Sequence, residues 1–284
     1  MQKRGTNKGV NSANYDEKYY SKINEGWKEF AEGKVSKRLL KAIELSAADF
    51  NGKKVLDIGC GRGELCAQLA TLGAKCTGID YSEAAIKIAK KSFKGKGIGF
   101  LRMDCTKLAF PAESFDAVFM MDIVEHLTQE QLEKTVEKIY SILKPGGMLL
   151  IHTMPNAFLA KPFYLMCKVT GTKRGINEKV HINEQTCFSL ERLLRRFETR
   201  IYFAHEKDYF KSTVFYSKFR TKAKPLLEAL FQHDFSKVPM LKVFIASEMF
   251  VVAKKPFDSH NGTADCNNLA RHNNTNYLKA KQKR

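Results

Sequence analysis

The stretch Val55-Leu-Asp-Ile-Gly-Cys-Gly-Arg-Gly-Glu-Leu65 constrains this chain more than any other: an apolar run ends in glycines at alternate positions 59, 61 and 63, and helix-forming residues follow. It reads as a strand, a tight turn and a helix start. Glycine suits such a turn because a backbone passing under a ligand must take positive φ or approach without a Cβ, which other residues do only at a cost. A ligand bound here lies on the main chain itself.

Several nucleotide binders share a glycine-rich turn after a first strand, so spacing has to narrow the ligand. A dinucleotide fingerprint, G-x-G-x-x-G, needs glycine where this chain has Glu64, and its helix N-terminus receives a pyrophosphate. A phosphate loop needs Gly-Lys-Ser/Thr, which is absent here. The G-x-G-x-G form, with Glu64 and no adjacent lysine, suits a ligand that brings an amino acid moiety.

This pattern resembles the class I S-adenosylmethionine-dependent methyltransferases. The likeness continues in order through Gly78-Ile-Asp80-Tyr81-Ser82, Met103-Asp104-Cys105, Phe115-Asp116 to Glu125-His126, and Leu143-Lys-Pro-Gly-Gly147 to His152. It implies an α/β fold: a doubly wound, seven-stranded, mostly parallel, Rossmann-like sheet with an antiparallel last strand and helical insertions. It also implies that S-adenosyl-L-methionine lies against Asp57, Gly59, Cys60, Gly61, Gly63, Asp80, Tyr81, Asp104, Cys105 and Met121. In the family the acid ending strand 2, here Asp80, accepts hydrogen bonds from the ribose hydroxyls, and Asp104 matches the residue that contacts the adenine amino group. From the residues alone, the same acids also read as helix caps and turn formers.

Hydrophobic patterning agrees with alternating strands and helices, hence a parallel sheet with right-handed crossovers. Strands are expected at Lys54–Ile58, Lys75–Ile79, Gly99–Met103, Phe115–Met120 and Met148–Thr153. Ser82 is expected to cap a helix burying Ala85, Ile86, Ala89 and Phe93, and Thr128-x-x-Gln131 reads as a capping box ahead of Leu132, Val136 and Ile139. Pro145-Gly146-Gly147 should end that helix. Ser189 should start another, leading to a strand near Arg200–His205, and Val243–Ala253 should close the sheet.

Residues 13–257 form one expected domain with insertions at about 155–183 and 211–241, because connections longer than ~12–15 residues usually act as lids or binding loops. The first insertion, with Phe158, Phe163, Tyr164 and Lys161, reads as a substrate lid or membrane-interface element. The second carries Lys218, Arg220, Lys222 and Lys224 beside Phe219 and Leu226, an amphipathic basic helix suited to anionic lipid or to packing on the core. A leading helix holding Tyr15, Tyr19, Tyr20 and Trp27 would cover the cofactor, as in relatives. Residues 1–12 and 258–284 have too few apolar groups to offset ordering entropy and are expected to be disordered tails.

The seven cysteines are odd in number and contain no C-x-x-C pair, so the sequence indicates neither a zinc site, a disulfide framework nor a radical cluster. Together with an N-terminus lacking an apolar signal core, this makes a reducing cytoplasm the expected location, with peripheral contact to a membrane as an option. The net charge of +18 is unevenly spread: residues 55–156 carry 12 basic and 12 acidic side chains, whereas 157–257 carry 19 and 9. Basic surroundings of a neutral core point to an anionic partner or to a merely soluble surface.

Methyl transfer from a sulfonium is an in-line displacement that needs alignment, exclusion of water and, for a hydroxyl acceptor, a base. His126 is the expected base, with Glu125 orienting it or acting on substrate. Asp122-Ile-Val-Glu125-His126 resembles the region after strand 4 in the O-methyltransferases of ubiquinone biosynthesis, where two carboxylates and a histidine are proposed to hold a divalent ion. Hard oxygen ligands would favour magnesium, but Asp122 is shorter than the family's glutamate, and no residue is assigned to a metal. His152 should be core. The expected function is O-methylation of a small molecule, lipid-linked intermediate or sugar. The alternatives are RNA or protein methylation, although the Asn/Asp-Pro-Pro-Tyr/Phe motif is missing, and a non-catalytic cofactor-binding module.

Overall fold

The computed structural model describes residues 19–20, 26–170, 181–204 and 242–257. Its centre is a seven-stranded sheet formed by β1 (Lys54–Ile58), β2 (Lys75–Asp80), β3 (Gly99–Arg102), β4 (Phe115–Met121), β5 (Leu143–Thr153), β6 (Glu198–Ala204) and β7 (Glu248–Lys254), in the order β3-β2-β1-β4-β5-β7-β6. The first five strands pair in parallel and β7 runs antiparallel to both neighbours. The last strand is antiparallel, as expected, and completes the sheet by inserting between β5 and β6. Its run Met249 to Ala253 is buried throughout, as an interior strand covered on both faces must be.

The helices are α1 (Trp27–Ala31), α2 (Lys37–Ser46), α3 (Glu64–Thr71), α4 (Glu83–Ser92), α5 (Gln129–Ile142), α6 (Ala157–Thr170), α7 (Cys187–Leu193) and α8 (Lys242–Ile245). Local chemistry fixes their ends. Ser82 Oγ accepts from Ala85 N at the start of α4, and Thr128 and Gln131 close a reciprocal capping box on α5. The box on α7 begins at Thr186, three residues before the expected start, because Thr186 Oγ1 and Ser189 Oγ each accept the other residue's N–H. Pro145-Gly146-Gly147 does not sit at the end of α5: the helix stops at Ile142, and Leu143 already pairs with Phe115 before a register shift. Lys242 to Ile245, expected to begin the last strand, is a helical turn instead.

Two apolar clusters cover the faces of the sheet. One joins Leu56, Ile58, Val118 and Met120 to α5 and α7, and the other joins Val55, Phe119, Leu150 and Phe250 to α2, α3 and α4. The strand order reverses between β1 and β4, and in open α/β sheets the crevice at the carboxyl ends of such strands is where ligands bind. Of the first expected insertion, α6 and residues 181–183 are described, while the second, 211–241, and both expected tails lie outside the described residues. No helix among the described residues is long and apolar enough to cross a membrane.

Candidate active site

The glycine turn lies at the carboxyl end of β1. Gly59 N and Cys60 N both donate to Ile79 O, at 2.7 and 2.9 Å, which pins the turn against β2. Gly59 has φ +71°, and a Cβ there would come within 2.0 Å of the Ile123 side chain, so a larger residue would be strained and would have to displace Ile123. Gly63 has a different task. It precedes α3, and a Cβ would meet Phe100 at 2.7 Å; glycine is needed there for helix-on-sheet packing, and Gly63 does not border the cavity.

Asp80 ties the turn to β2. Its carboxylate accepts from Gly61 N at 3.0 Å and from Ser82 N at 2.8 Å. Burial nonetheless pushes its carboxyl up to about 6, with the backbone N–H groups of Ser82, Gly61 and Tyr81 acting against the shift. Asp57, also buried, is raised by desolvation to about 7 and accepts from Cys66 Sγ at 3.5 Å. Carboxylates held in a dry wall favour a ligand that carries positive charge. Asp104 accepts from Thr106 N and Oγ1, both at 2.8 Å, and so caps a short 3-10 turn over residues 105–107. Burial pushes the adjacent Cys105 thiol up to about 12.

These groups surround a cavity of about 230 Å³. Asp57, Gly59, Cys60, Gly61, Asp80, Tyr81, Asp104, Cys105, Met121 and His126 all line it. Further residues complete it. Tyr19 and Tyr20 from the leading segment, Ser36, Arg38 and Leu39 from the start of α2, and Ile123, Leu127 and Gln131 all face the space. Tyr20 is anchored by its carbonyl, which accepts from the buried Arg62 at 2.9 Å. Arg38 had no local signal, since its partner is more than 80 positions away in sequence.

That partner is Asp122. Its Oδ2 pairs with Arg38 at 2.9 Å, its Oδ1 meets His152 Nδ1, and His152 Nε2 lies 2.9 Å from Glu248 Oε2. His152 is wholly buried, as expected of a core residue, but it is not apolar filling. Desolvation disfavours its charge, while the carboxylates of Asp122 and Glu248 overcome that and raise it to about 9. With both Asp122 oxygens committed, the residue is not a free member of the two-carboxylate and histidine set that the family resemblance implied.

Glu125 and His126 separate. His126 borders the cavity, but Glu125 is 1 % exposed and sits behind it, not at the lip. Glu125 Oε2 accepts from Thr153 Oγ1 at 2.9 Å, and its backbone carbonyl accepts from Ile182 N and Asn183 N at 2.9 and 3.1 Å. That pairing brings His181 over His126, with ring centroids 5.0 Å apart. Burial holds the His181 imidazole down to about 4 and raises the Glu125 carboxyl.

Comparison with known proteins identifies the framework. Residues 55–147 match the family model described as a methyltransferase domain. The ubiquinone biosynthesis O-methyltransferase of Chelativorans sp. (strain BNC1) is 36 % identical over 117 residues, 40 % of this chain and 46 % of that protein. A namesake from Coxiella burnetii (strain RSA 493 / Nine Mile phase I) is 36 % identical over 123 residues, 43 % and 51 % of the two chains. The chain thus spans about half the length of the curated relatives it matches. Among solved structures, Haemonchus contortus phosphoethanolamine N-methyltransferase 2, bound to phosphomonomethylethanolamine and S-adenosylhomocysteine, aligns with a TM-score of 0.55 at 21 % identity, covering 77 % of this chain and 52 % of that one. At that identity the likeness establishes the fold.

The His152 cluster sets a pH dependence. A histidine whose folded value is raised from 6.5 to about 9 contributes stability that is fully present below pH 6.5 and is lost as pH rises through 9. The stability advantage of the wild type over His152→Gln, measured by urea unfolding, should therefore be largest, on the order of a few kcal/mol, at pH 6 and should shrink by pH 9.5. An advantage that is constant or grows with pH would show that His152 is neutral.

Proposed function

We propose that this chain, which carries a class I S-adenosylmethionine-dependent methyltransferase domain, methylates a hydroxyl group of a small molecule, a lipid-linked intermediate or a sugar. The observation that carries the reading is one cavity lined both by the glycine turn with Asp80 and by His126. S-adenosylmethionine would lie over Gly59 to Gly61, its ribose at Asp80 and its adenine by Asp104 and Cys105; it supplies a methyl group on a sulfonium. The names of the matched relatives support an oxygen acceptor.

The chain's own residues then have three tasks. Asp80 orients the donor, using carboxylate lone pairs beyond those given to Gly61 and Ser82. Ile123, Leu127 and Tyr20 exclude water, which strengthens alignment and suppresses hydrolysis. His126 accepts the proton that the hydroxyl loses as its oxygen attacks the methyl carbon. Glu125 holds the 181–183 segment over His126 through its backbone carbonyl.

A base of this kind is worth roughly 10²- to 10⁴-fold. His126→Ala, assayed in chelator-treated protein with an acceptor found by methyl-labelling of cell extract, should lower turnover by about that factor while S-adenosylhomocysteine affinity stays unchanged. A loss of less than about threefold would remove His126 from the chemistry.

Methylation of RNA or protein is the second reading, and the +18 charge supports it. Binding driven by phosphates falls steeply with salt, so a mobility shift with RNA that vanishes between about 50 and 200 mM salt would favour it over the small-molecule reading. Absence of a shift at low salt would remove RNA as the acceptor.

A further inference from the structure

Away from the cavity, the surface carries a concentration of positive charge with no part in methyl transfer. Residues 83–102 hold six basic side chains and one acidic, half of the 12 basic groups in the otherwise neutral stretch 55–156. The fold gathers them along one side. Lys87, Lys90 and Lys91 stand at i, i+3 and i+4 of α4, turned away from its buried Ala85, Ile86 and Ala89. Lys94 and Lys96 follow in the turn to β3, and Arg102 ends β3, an edge strand of the sheet. All six are exposed. Lysines in the last turn of a helix offset its dipole, which accounts for Lys90 and Lys91 alone. The single acid, Glu83, pairs with Lys87 at 2.8 Å and lies 3.7 Å from Arg102, and exposed pairs of this kind contribute little. Lys90, Lys91, Lys94 and Lys96 have no acidic partner among the described residues.

We propose that this α4–β3 edge is a docking face for double-stranded RNA, held by its phosphate backbone. Neighbours three and four apart on a helix sit about 5–6 Å from each other, so the lysines offer a row of cations to a polymer of closely spaced negative charge. An anionic membrane fits the face less well, because α4 exposes no large apolar side chain that could enter lipid. Unpaired bases would need exposed aromatic side chains to stack on, and neither α4 nor β3 exposes one. Nor does α4 carry an Arg, Asn or Gln to make forked bonds with base edges in the major groove of DNA. Arg102 is engaged at its Nε, which donates to Tyr81 O at 3.2 Å. Charge without base readers suits duplex RNA, which is recognised by backbone and shape. Tyr81, two residues ahead of α4, borders the cavity, so the face begins at the cavity rim. RNA docking stands on these exposed side chains whichever acceptor is methylated, and whether or not the cavity transfers a methyl group.

The test is binding of a synthetic RNA duplex of ~16 base pairs to the full chain, read by fluorescence anisotropy between about 50 and 200 mM salt. One variant combines Lys87→Gln, Lys90→Gln, Lys91→Gln and Lys94→Gln, which keeps the helix propensity of α4. A control removes four exposed charges elsewhere, through Lys34→Gln, Lys41→Gln, Lys134→Gln and Lys138→Gln. Thermal unfolding unchanged from the wild type shows that both are folded. The wild type should bind, with the logarithm of its affinity falling linearly in the logarithm of salt concentration. The α4 variant should lose at least about tenfold in affinity and about three from the salt slope, roughly one per phosphate contact removed, while the control loses less than about threefold. Absence of RNA binding at about 50 mM salt, or equal losses in the two variants, would overturn the face. So would tighter binding of a DNA duplex of the same length, or an α4 variant that keeps RNA and loses phosphatidylglycerol vesicles instead.

Discussion

The carboxylate of Asp80 is the pivot of the site. A strand-to-helix turn rich in glycine has many backbone conformations to lose on ordering, and the N–H groups of 59, 60 and 61 would be orphaned if nothing received them. Ile79 O takes the first two and Asp80 takes the third. The acid also accepts from Ser82 N, so one side chain fixes the glycine turn and the entry to α4 together. Holding a largely desolvated carboxylate costs free energy, visible in its raised pKa, and that poise leaves the acid ready for donors on a ligand. The bland reading of Asp80 as a turn former and the functional reading as a ribose acceptor describe one group.

A second charge cluster borders the cavity through Arg38 and Asp122. Asp122 has φ +57°, an uncommon conformation for a residue with a Cβ, and it is held there by Arg38 from α2 and His152 from β5. Glu248 on β7 completes the cluster from the far side of His152. Removing one member would leave another charge buried and unpaired, which is the expensive outcome. The network therefore fixes the chain direction out of β4 and with it the side chains of Ile123, Glu125 and His126. Insertion of β7 beside β5 is what brings Glu248 within reach.

The parts legible in sequence were those with local signals. Alternating glycines, apolar runs bounded by turns, and the Ser82 and Thr128 caps placed β1 to β4 and the starts of α3 to α5 within a residue or two, since each signal spans fewer than ten positions, whereas β5 begins at Leu143, five residues before its expected start. Long-range partnerships were not legible. Nothing near Arg38 points to Asp122, and nothing near His181 points to Glu125, because those contacts depend on strand order and on the path of an insertion. Gly63 was read as a ligand contact through its motif, yet Phe100, 37 positions later, accounts for it. Lys242 to Ile245 carries a strand-like composition but folds as a helical turn before Glu248 enters the sheet.

The central claim, that a sulfonium nucleoside rests on the glycine turn with its ribose at Asp80, is tested most directly by calorimetric titration of S-adenosylhomocysteine into the wild type and Asp80→Asn. Hydrogen bonds to charged groups are worth roughly 1.5–3 kcal/mol each, so the account predicts saturable one-to-one binding by the wild type and a loss of about tenfold or more in the variant. Absence of binding to the folded wild type, or equal affinities for the two proteins, would contradict it.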